Sequence, residues 1–177
     1  MVTLEQLLAA RDARARHQQE LLAAYSGCTL VCLTVQLPGP VKRNSDSLVV
    51  GGAGLAALLD RFGSTLSHVQ VRDLESGYEA YLLVPLPERM VKSICCSIEE
   101  QHPLGRLMDI DVVGAAGIPL SREDLGLPPR RCLLCEQEAR YCMRAHTHSR
   151  DALNARIQEM INQFTTNGIQ KTDAGGN

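Results

Sequence analysis

The chain has no tryptophan, only two phenylalanines and four tyrosines, so aromatics make up 3% of its 177 residues. A platform for single-stranded nucleic acid relies on stacking aromatics, and this chain has few to offer. No excess of positive charge compensates: the formal net charge is −2, which argues against binding nucleic acid through bulk electrostatics. No apolar run approaches bilayer length and no basic leader precedes an apolar stretch, so we expect a soluble, cytoplasmic protein without membrane contact. Seven cysteines are an odd number for a secreted disulfide framework. In a reducing compartment they would be thiols or metal ligands.

What is present is a leucine-, valine- and alanine-rich chain, 45% apolar and long enough for one domain with its own core. We expect a single domain over residues 1–164. Its core would span about 28–121, followed by a Cys-rich helical segment at about 128–164. The polar, Gly-rich stretch 165–177 reads as a disordered tail.

The stretch richest in chemical signal is His102-Pro103-Leu104-Gly105-Arg106-Leu107-Met108-Asp109-Ile110-Asp111-Val112-Val113. Pro103 and Gly105 mark a turn, and Leu107–Val113 reads as a strand. Strand residues i and i+2 share a face. Asp109 and Asp111 therefore project together, roughly 7 Å apart at the backbone, while Met108, Ile110 and Val112 face a core. Two such carboxylates either form the wet face of a sheet or share a cation. Mg²⁺ suits the second case, because it takes oxygen ligands and is commonly held by one or two carboxylates plus substrate phosphates. Arg106, at the mouth of the strand, suits a phosphate.

Upstream, Thr3 and Gln6 form a capping box for a helix to about Ala24. Arg11, Asp12, Arg14 and Arg16 lie in its middle, as expected of a solvated face. Cys28–Gln36 is apolar and β-branched and reads as a buried central strand. Leu37-Pro38-Gly39-Pro40-Val41-Lys42-Arg43 is a loop whose Lys42 either lies in a solvated turn or holds a phosphate. Asp46 or Ser47 would cap a helix to Phe62, whose Gly51-Gly52-Ala53-Gly54 permits close packing on a sheet. It is not a dinucleotide fingerprint, for the spacing is wrong. Ser67–Arg72 and Tyr78–Val84 make a hairpin, and Glu88–Gln101 a helix. The order after the first helix is β-α-β-β-α-β, which predicts an α+β, ferredoxin-like antiparallel sheet.

Beyond Pro128-Pro129-Arg130-Arg131 comes Cys132-x2-Cys135-x6-Cys142-x5-His148. Three cysteines and a histidine at this spacing suit a structural Zn²⁺ site, or else are reduced thiols on helical turns. Ser149 would cap a last helix through Phe164.

The run Gly-Arg-Leu-Met-Asp-Ile-Asp-Val, preceded by His-Pro-Leu, resembles the signature of the citrate lyase holo-acyl-carrier-protein synthases, also called apo-citrate lyase phosphoribosyl-dephospho-CoA transferases. Leu127-Pro128-Pro129-Arg130-Arg131-Cys132-Leu133-Leu134-Cys135 resembles the same family's second signature. The resemblance implies transfer of a phosphoribosyl-dephospho-CoA group from 2′-(5″-triphosphoribosyl)-3′-dephospho-CoA to a serine of the citrate lyase acyl carrier protein, with release of pyrophosphate. It makes Asp109 and Asp111 the Mg²⁺ ligands and, with Arg106, the catalytic residues. It adds Lys42, Arg11, Arg14, Arg130, Arg131, Gly105 and His102 as candidate phosphate contacts. Two other readings are a zinc-stapled module that binds the carrier without catalysis, and the same chemistry on a malonate decarboxylase-type carrier.

Overall fold

The structure is a computed structural model that describes residues 2–173. The chain divides into two compact units, Met1–Leu127 and Pro128–Asn177. No helix among the described residues is long and apolar enough to cross a membrane.

The first unit opens with α1 (Leu4–Ala24), which starts where the capping box of Thr3 and Gln6 satisfies its first backbone donors. Then follow β1 (Thr29–Val35), α2 (Ser45–Phe62), β2 (His68–Leu74), β3 (Gly77–Val84), α3 (Glu88–Gln101) and β4 (Met108–Val113). The strands form one antiparallel sheet in the order β2-β3-β1-β4. β1 is interior and buried through Leu33, as its unbroken apolar run requires.

Alternation divides the sheet into two faces. Leu33 and Met108 meet α2 at Gly54, where a Cβ would come within 2.9 Å of Leu33. At Gly51 a Cβ would lie 2.4 Å from the Tyr78 ring. The Gly-Gly-Ala-Gly run is thus what lets α2 lie close on the sheet. On the other face, Leu30, Cys32, Tyr81, Leu83 and Val113 pack with Leu21 of α1.

β4 is an edge strand, and α3 closes its edge. Buried Glu99 accepts the Ile110 N–H at 2.9 Å, and buried Lys92 donates to the Ile110 carbonyl at 3.2 Å. These side chains supply the partners that a fifth strand would otherwise give.

Two boundaries differ from expectation. The cap of α2 is Asn44, not Asp46 or Ser47. Its side chain accepts the Ser47 N–H at 2.8 Å while Ser47 Oγ accepts the Asn44 N–H. This reciprocal box sets the start two or three residues earlier.

The second unit holds α4 (Ala139–Ala145) and α5 (Arg150–Asp173). Ser149 Oγ accepts the Ala152 N–H at the head of α5. That helix runs past Phe164, where the sequence reading stops it. Thr165 Oγ1 bonds back to the Ile161 carbonyl, which a helix accommodates without ending. Residues 174–177 of the expected tail lie outside the described residues.

Candidate active site and metal centre

The strand register arranges the α1 side of the sheet in rows. Arg72, Glu79, Thr34 and Asp109 form one row from β2 to β4. Gln70, Tyr81, Cys32 and Asp111 form the next. The third row, His68, Leu83, Leu30 and Val113, is mostly apolar. The face therefore grades from a core under Leu21 to a polar layer toward the aspartates.

Helix α1 contributes to that layer. Arg14 Nε donates to Glu79 Oε1 at 2.9 Å, and Tyr81 Oη donates to Glu79 Oε2 at 2.5 Å. Arg72 lies 3.9 Å from the same carboxylate. His17 pairs with Gln70 at 2.6 Å and sets its ring edge-on to Tyr81. Glu79 is 1% exposed, an unusual burial for a carboxylate, and is sustained by these donors.

The titration behaviour follows from this packing. Burial pushes the Cys32 thiol up to about 12, outweighing Arg14 and the Gln18 hydrogen bond, so it stays protonated. Burial and the Glu79 bond hold the Tyr81 phenol well above its usual range. Burial works against the Arg14 charge, but Glu79 more than compensates and raises its pKa.

Asp109 is half-buried and accepts the Gln36 side-chain amide at 3.0 Å. Asp111 is exposed. Both are oxygen donors on one face, a set that fits Mg²⁺. Arg106 sits in the 3₁₀ turn Gly105–Leu107 that runs into β4. His102 and Gly105 shape that turn. His102 Nδ1 accepts the Leu104 N–H at 3.0 Å. Gly105 is buried where a Cβ would stand 2.5 Å from the Glu99 carbonyl oxygen. Lys42 Nζ donates to the Leu37 carbonyl at 2.8 Å, closing its loop. Arg43, beside it, grips Asp73 with two hydrogen bonds. Arg11 is exposed on α1.

The second unit brings Cys132, Cys135, Cys142 and His148 together, with all four ligand atoms within 4.8 Å of one another. Cys135 Sγ lies 3.5 Å from Cys142 Sγ and 3.3 Å from His148 Nε2. A tetrahedral site with Zn–S near 2.3 Å sets neighbouring sulfurs about 3.8 Å apart, so the cluster has the right size. Each ligand is placed by a local device. The Leu134 N–H points at Cys132 Sγ, 3.5 Å away. Cys142 is on α4. His146 adopts φ 49° and ends that helix, redirecting the chain so that His148 returns to Cys135. Arg130 and Arg131 frame the loop: the Arg130 carbonyl accepts from Ala139, Arg131 bridges Glu138, and its guanidinium pairs with Glu136. Burial and the neighbouring thiols raise Cys142 to about 11. At Cys132, burial opposes ionisation but backbone N–H groups of Leu134 and Cys135 prevail and lower its pKa.

A profile of the family described as "Apo-citrate lyase phosphoribosyl-dephospho-CoA transferase" matches residues 2–164. A Vibrio cholerae protein named "Probable apo-citrate lyase phosphoribosyl-dephospho-CoA transferase" is 41% identical over 168 residues, 93% of this chain and 94% of the relative. The chain belongs to the apo-citrate lyase phosphoribosyl-dephospho-CoA transferase family. An Escherichia coli O1:K1 member of this transferase family is 38% identical over 91% of this chain and 89% of its own length. A Haemophilus influenzae protein, "Protein CitXG", is 40% identical over 90% of this chain, but the match covers 35% of that protein. The matched region is thus one part of a longer polypeptide there.

Reading the sequence alone missed Glu79, Tyr81, Arg72, His17 and Gln70. An acid and a tyrosine at i and i+2 of a strand carry the same signal as Asp109 and Asp111, but beside a hairpin they pass for solvent-facing residues.

Proposed function

We propose that the chain is the nucleotidyltransferase that installs the phosphoribosyl-dephospho-CoA group on citrate lyase, using 2′-(5″-triphosphoribosyl)-3′-dephospho-CoA as donor and a serine of the acyl carrier subunit as acceptor. The observation that carries this reading is the family match across residues 2–164. The serine Oγ attacks the α-phosphorus of the donor, the bond from that phosphorus to the bridging oxygen of the β-phosphate breaks, and pyrophosphate departs with that oxygen. The serine proton passes to a base, and the product is a phosphodiester. Such chemistry asks the protein for positioning and charge neutralisation.

The polar rows of the α1-side sheet face suit those tasks. Asp109 and Asp111 would hold Mg²⁺, which supplies charge neutralisation for the triphosphate when bound. Gln36 orients Asp109 through its amide. One aspartate accepts the serine proton. Arg106 and Arg14 bind phosphoryl oxygens, with Lys42 and Arg11 as further cationic contacts; Arg130 and Arg131 are cationic candidates of the second unit, considered by itself. His102 and Gly105 serve by shaping the turn that presents Arg106. The strand order β2-β3-β1-β4, with helices after β1 and β3, is the basis for reading the core as ferredoxin-like. We assign one catalytic function to the chain as a whole, in the cytoplasm.

In the second unit, Cys132, Cys135, Cys142 and His148 form a four-ligand set that fits structural Zn²⁺ and leaves no open coordination position. Its role is to staple the loop at Cys132–Cys135 to α4 and to the start of α5.

The test is intact-mass measurement of apo-carrier incubated with donor, Mg²⁺ and the protein. Citrate lyase and malonate decarboxylase-type carriers are run side by side. The reading expects the citrate lyase carrier to gain the prosthetic group with equimolar pyrophosphate. Modification of the other carrier alone would reassign the acceptor. Carrier binding without any modification would favour a non-catalytic module.

A further inference from the structure

The polar layer contains a buried carboxylate that the mechanism above does not use. Glu79 lies in the same cross-strand row as Asp109, with Thr34 of β1 between them. It is enclosed, and its two oxygens have separate partners: Oε1 takes Arg14 Nε at 2.9 Å and Oε2 takes Tyr81 Oη at 2.5 Å. Gripping a guanidinium by Nε orients its plane yet leaves both terminal nitrogens for another acceptor. Among the described residues, Arg14 bonds to Glu79 through Nε. Its side chain is 30% exposed, so a ligand can reach it. Glu79, which holds Arg14, shares its cross-strand row with Asp109, and Asp111 is in the adjacent row of the same face. Arg14 and the aspartates therefore serve one surface.

We propose that Glu79 is a positioning residue for the transfer reaction: locked by Tyr81, it fixes the Arg14 guanidinium so that Nη1 and Nη2 donate to phosphoryl oxygens of the triphosphate substrate. Arg14 is the group that touches substrate, and Glu79 acts through it. The inference rests on the reading that this sheet face handles the triphosphate. It goes further in assigning the orientation of that α1 arginine, and the use of its two terminal nitrogens, to a buried acid on β3. The energetic logic is that of a preorganised clamp. A guanidinium held before the substrate arrives loses less rotamer freedom on binding than a free one. A buried acid–arginine pair adds little net stability, so a structural role alone does not account for placing one here.

The experiment measures steady-state kinetics of pyrophosphate release for Glu79→Gln, Glu79→Asp, Arg14→Ala and the double variant Glu79→Gln/Arg14→Ala. Asp111→Asn is run alongside, and folding of each protein is checked by circular dichroism. Loss of a charge-assisted hydrogen bond that orients a ligand group predicts a rise in donor KM of about tenfold or more for Glu79→Gln. kcat and the carrier KM should change far less. Glu79→Asp recovers part of the donor KM, and Glu79→Gln adds nothing once Arg14 is alanine. A donor KM at the wild-type value in folded Glu79→Gln overturns the proposal. So does an equal effect of Glu79→Gln with and without Arg14, since a merely structural acid would act independently. If Glu79→Gln does not fold, Tyr81→Phe replaces it. That variant is expected to raise donor KM about threefold, and a wild-type value overturns the proposal. An inactive Asp111→Asn with a silent Glu79→Gln removes this inference and spares the site. An active Asp111→Asn removes the site reading itself.

Discussion

Asp109 and Glu79 are both in register with Thr34, one on each side of the central strand. One acid is half-open and the other is sealed under α1. The difference follows from what lies above each. Arg14 and Tyr81 enclose Glu79, whereas Asp109, on the edge strand and bonded to Gln36, stays half-exposed. The same sheet face thus carries an acid suited to a cation and an acid suited to holding an arginine.

Replacing Asp109 or Asp111 with Asn keeps the shape and removes the charge. We expect each variant to lose roughly 100-fold or more in turnover, while melting stays within about a kcal/mol of wild type. Pyrophosphate release and thermal denaturation on the same samples check both halves. Turnover near wild type in either variant counts against a cation held between them.

The cysteine cluster predicts one zinc per chain by elemental analysis. Metal binding to such sites contributes on the order of 10 kcal/mol to the folding of small zinc domains. Removing zinc with a strong chelator, or replacing Cys142 with Ser, should therefore lower helical ellipticity and expose the second unit to protease. A zinc-free protein with unchanged melting and unchanged proteolysis would remove the metal assignment.

His102 predicts an acid-side loss of stability. Burial lowers its pKa below the ordinary 6.5, and Nδ1 must be unprotonated to accept the Leu104 N–H. Between about 6.5 and the depressed native value, the unfolded chain binds the proton that the folded chain refuses. Stability therefore falls as pH drops below about 6.5. His102→Asn, which can still accept that N–H but does not titrate, should flatten this slope. An unchanged slope in the variant would assign the pH dependence elsewhere.

Glu99 predicts a backbone effect. Glu99→Ala leaves the buried Ile110 N–H of β4 without its acceptor. The expected destabilisation is about 1–3 kcal/mol, read by urea denaturation. Because β4 carries Asp109 and Asp111, amide exchange along β4 should accelerate in the same variant. Wild-type stability and exchange would show that the strand edge is held by other contacts.

Much of this architecture is legible in local pattern. The capping box of Thr3 and Gln6, the unbroken apolar run of β1 and the alternation around Asp109 and Asp111 each report a short-range cause. The Cys-x2-Cys spacing with Cys142 and His148 does too, and the structure assembles those four residues. What stays hidden depends on long-range register. Arg14 and Glu79 are 65 residues apart, and nothing near either one signals the other. Glu79 looks like a surface acid until α1 is laid over β3. The roles of Gly105 and Lys92 are hidden for the same reason, since each depends on where α3 runs beside β4. The extension of α5 beyond Phe164 shows the complementary limit. A polar sequence reads as tail, but Thr165 continues the helix by bonding back to the preceding turn.

The most direct measurement is pyrophosphate release from donor and apo-carrier, titrated with Mg²⁺, comparing wild type with Asp111→Asn. The account predicts a saturable Mg²⁺ requirement in the wild type and a loss of turnover in the variant that added Mg²⁺ does not restore. Release that is indifferent to Mg²⁺, or an Asp111→Asn curve that overlays the wild type, would contradict it.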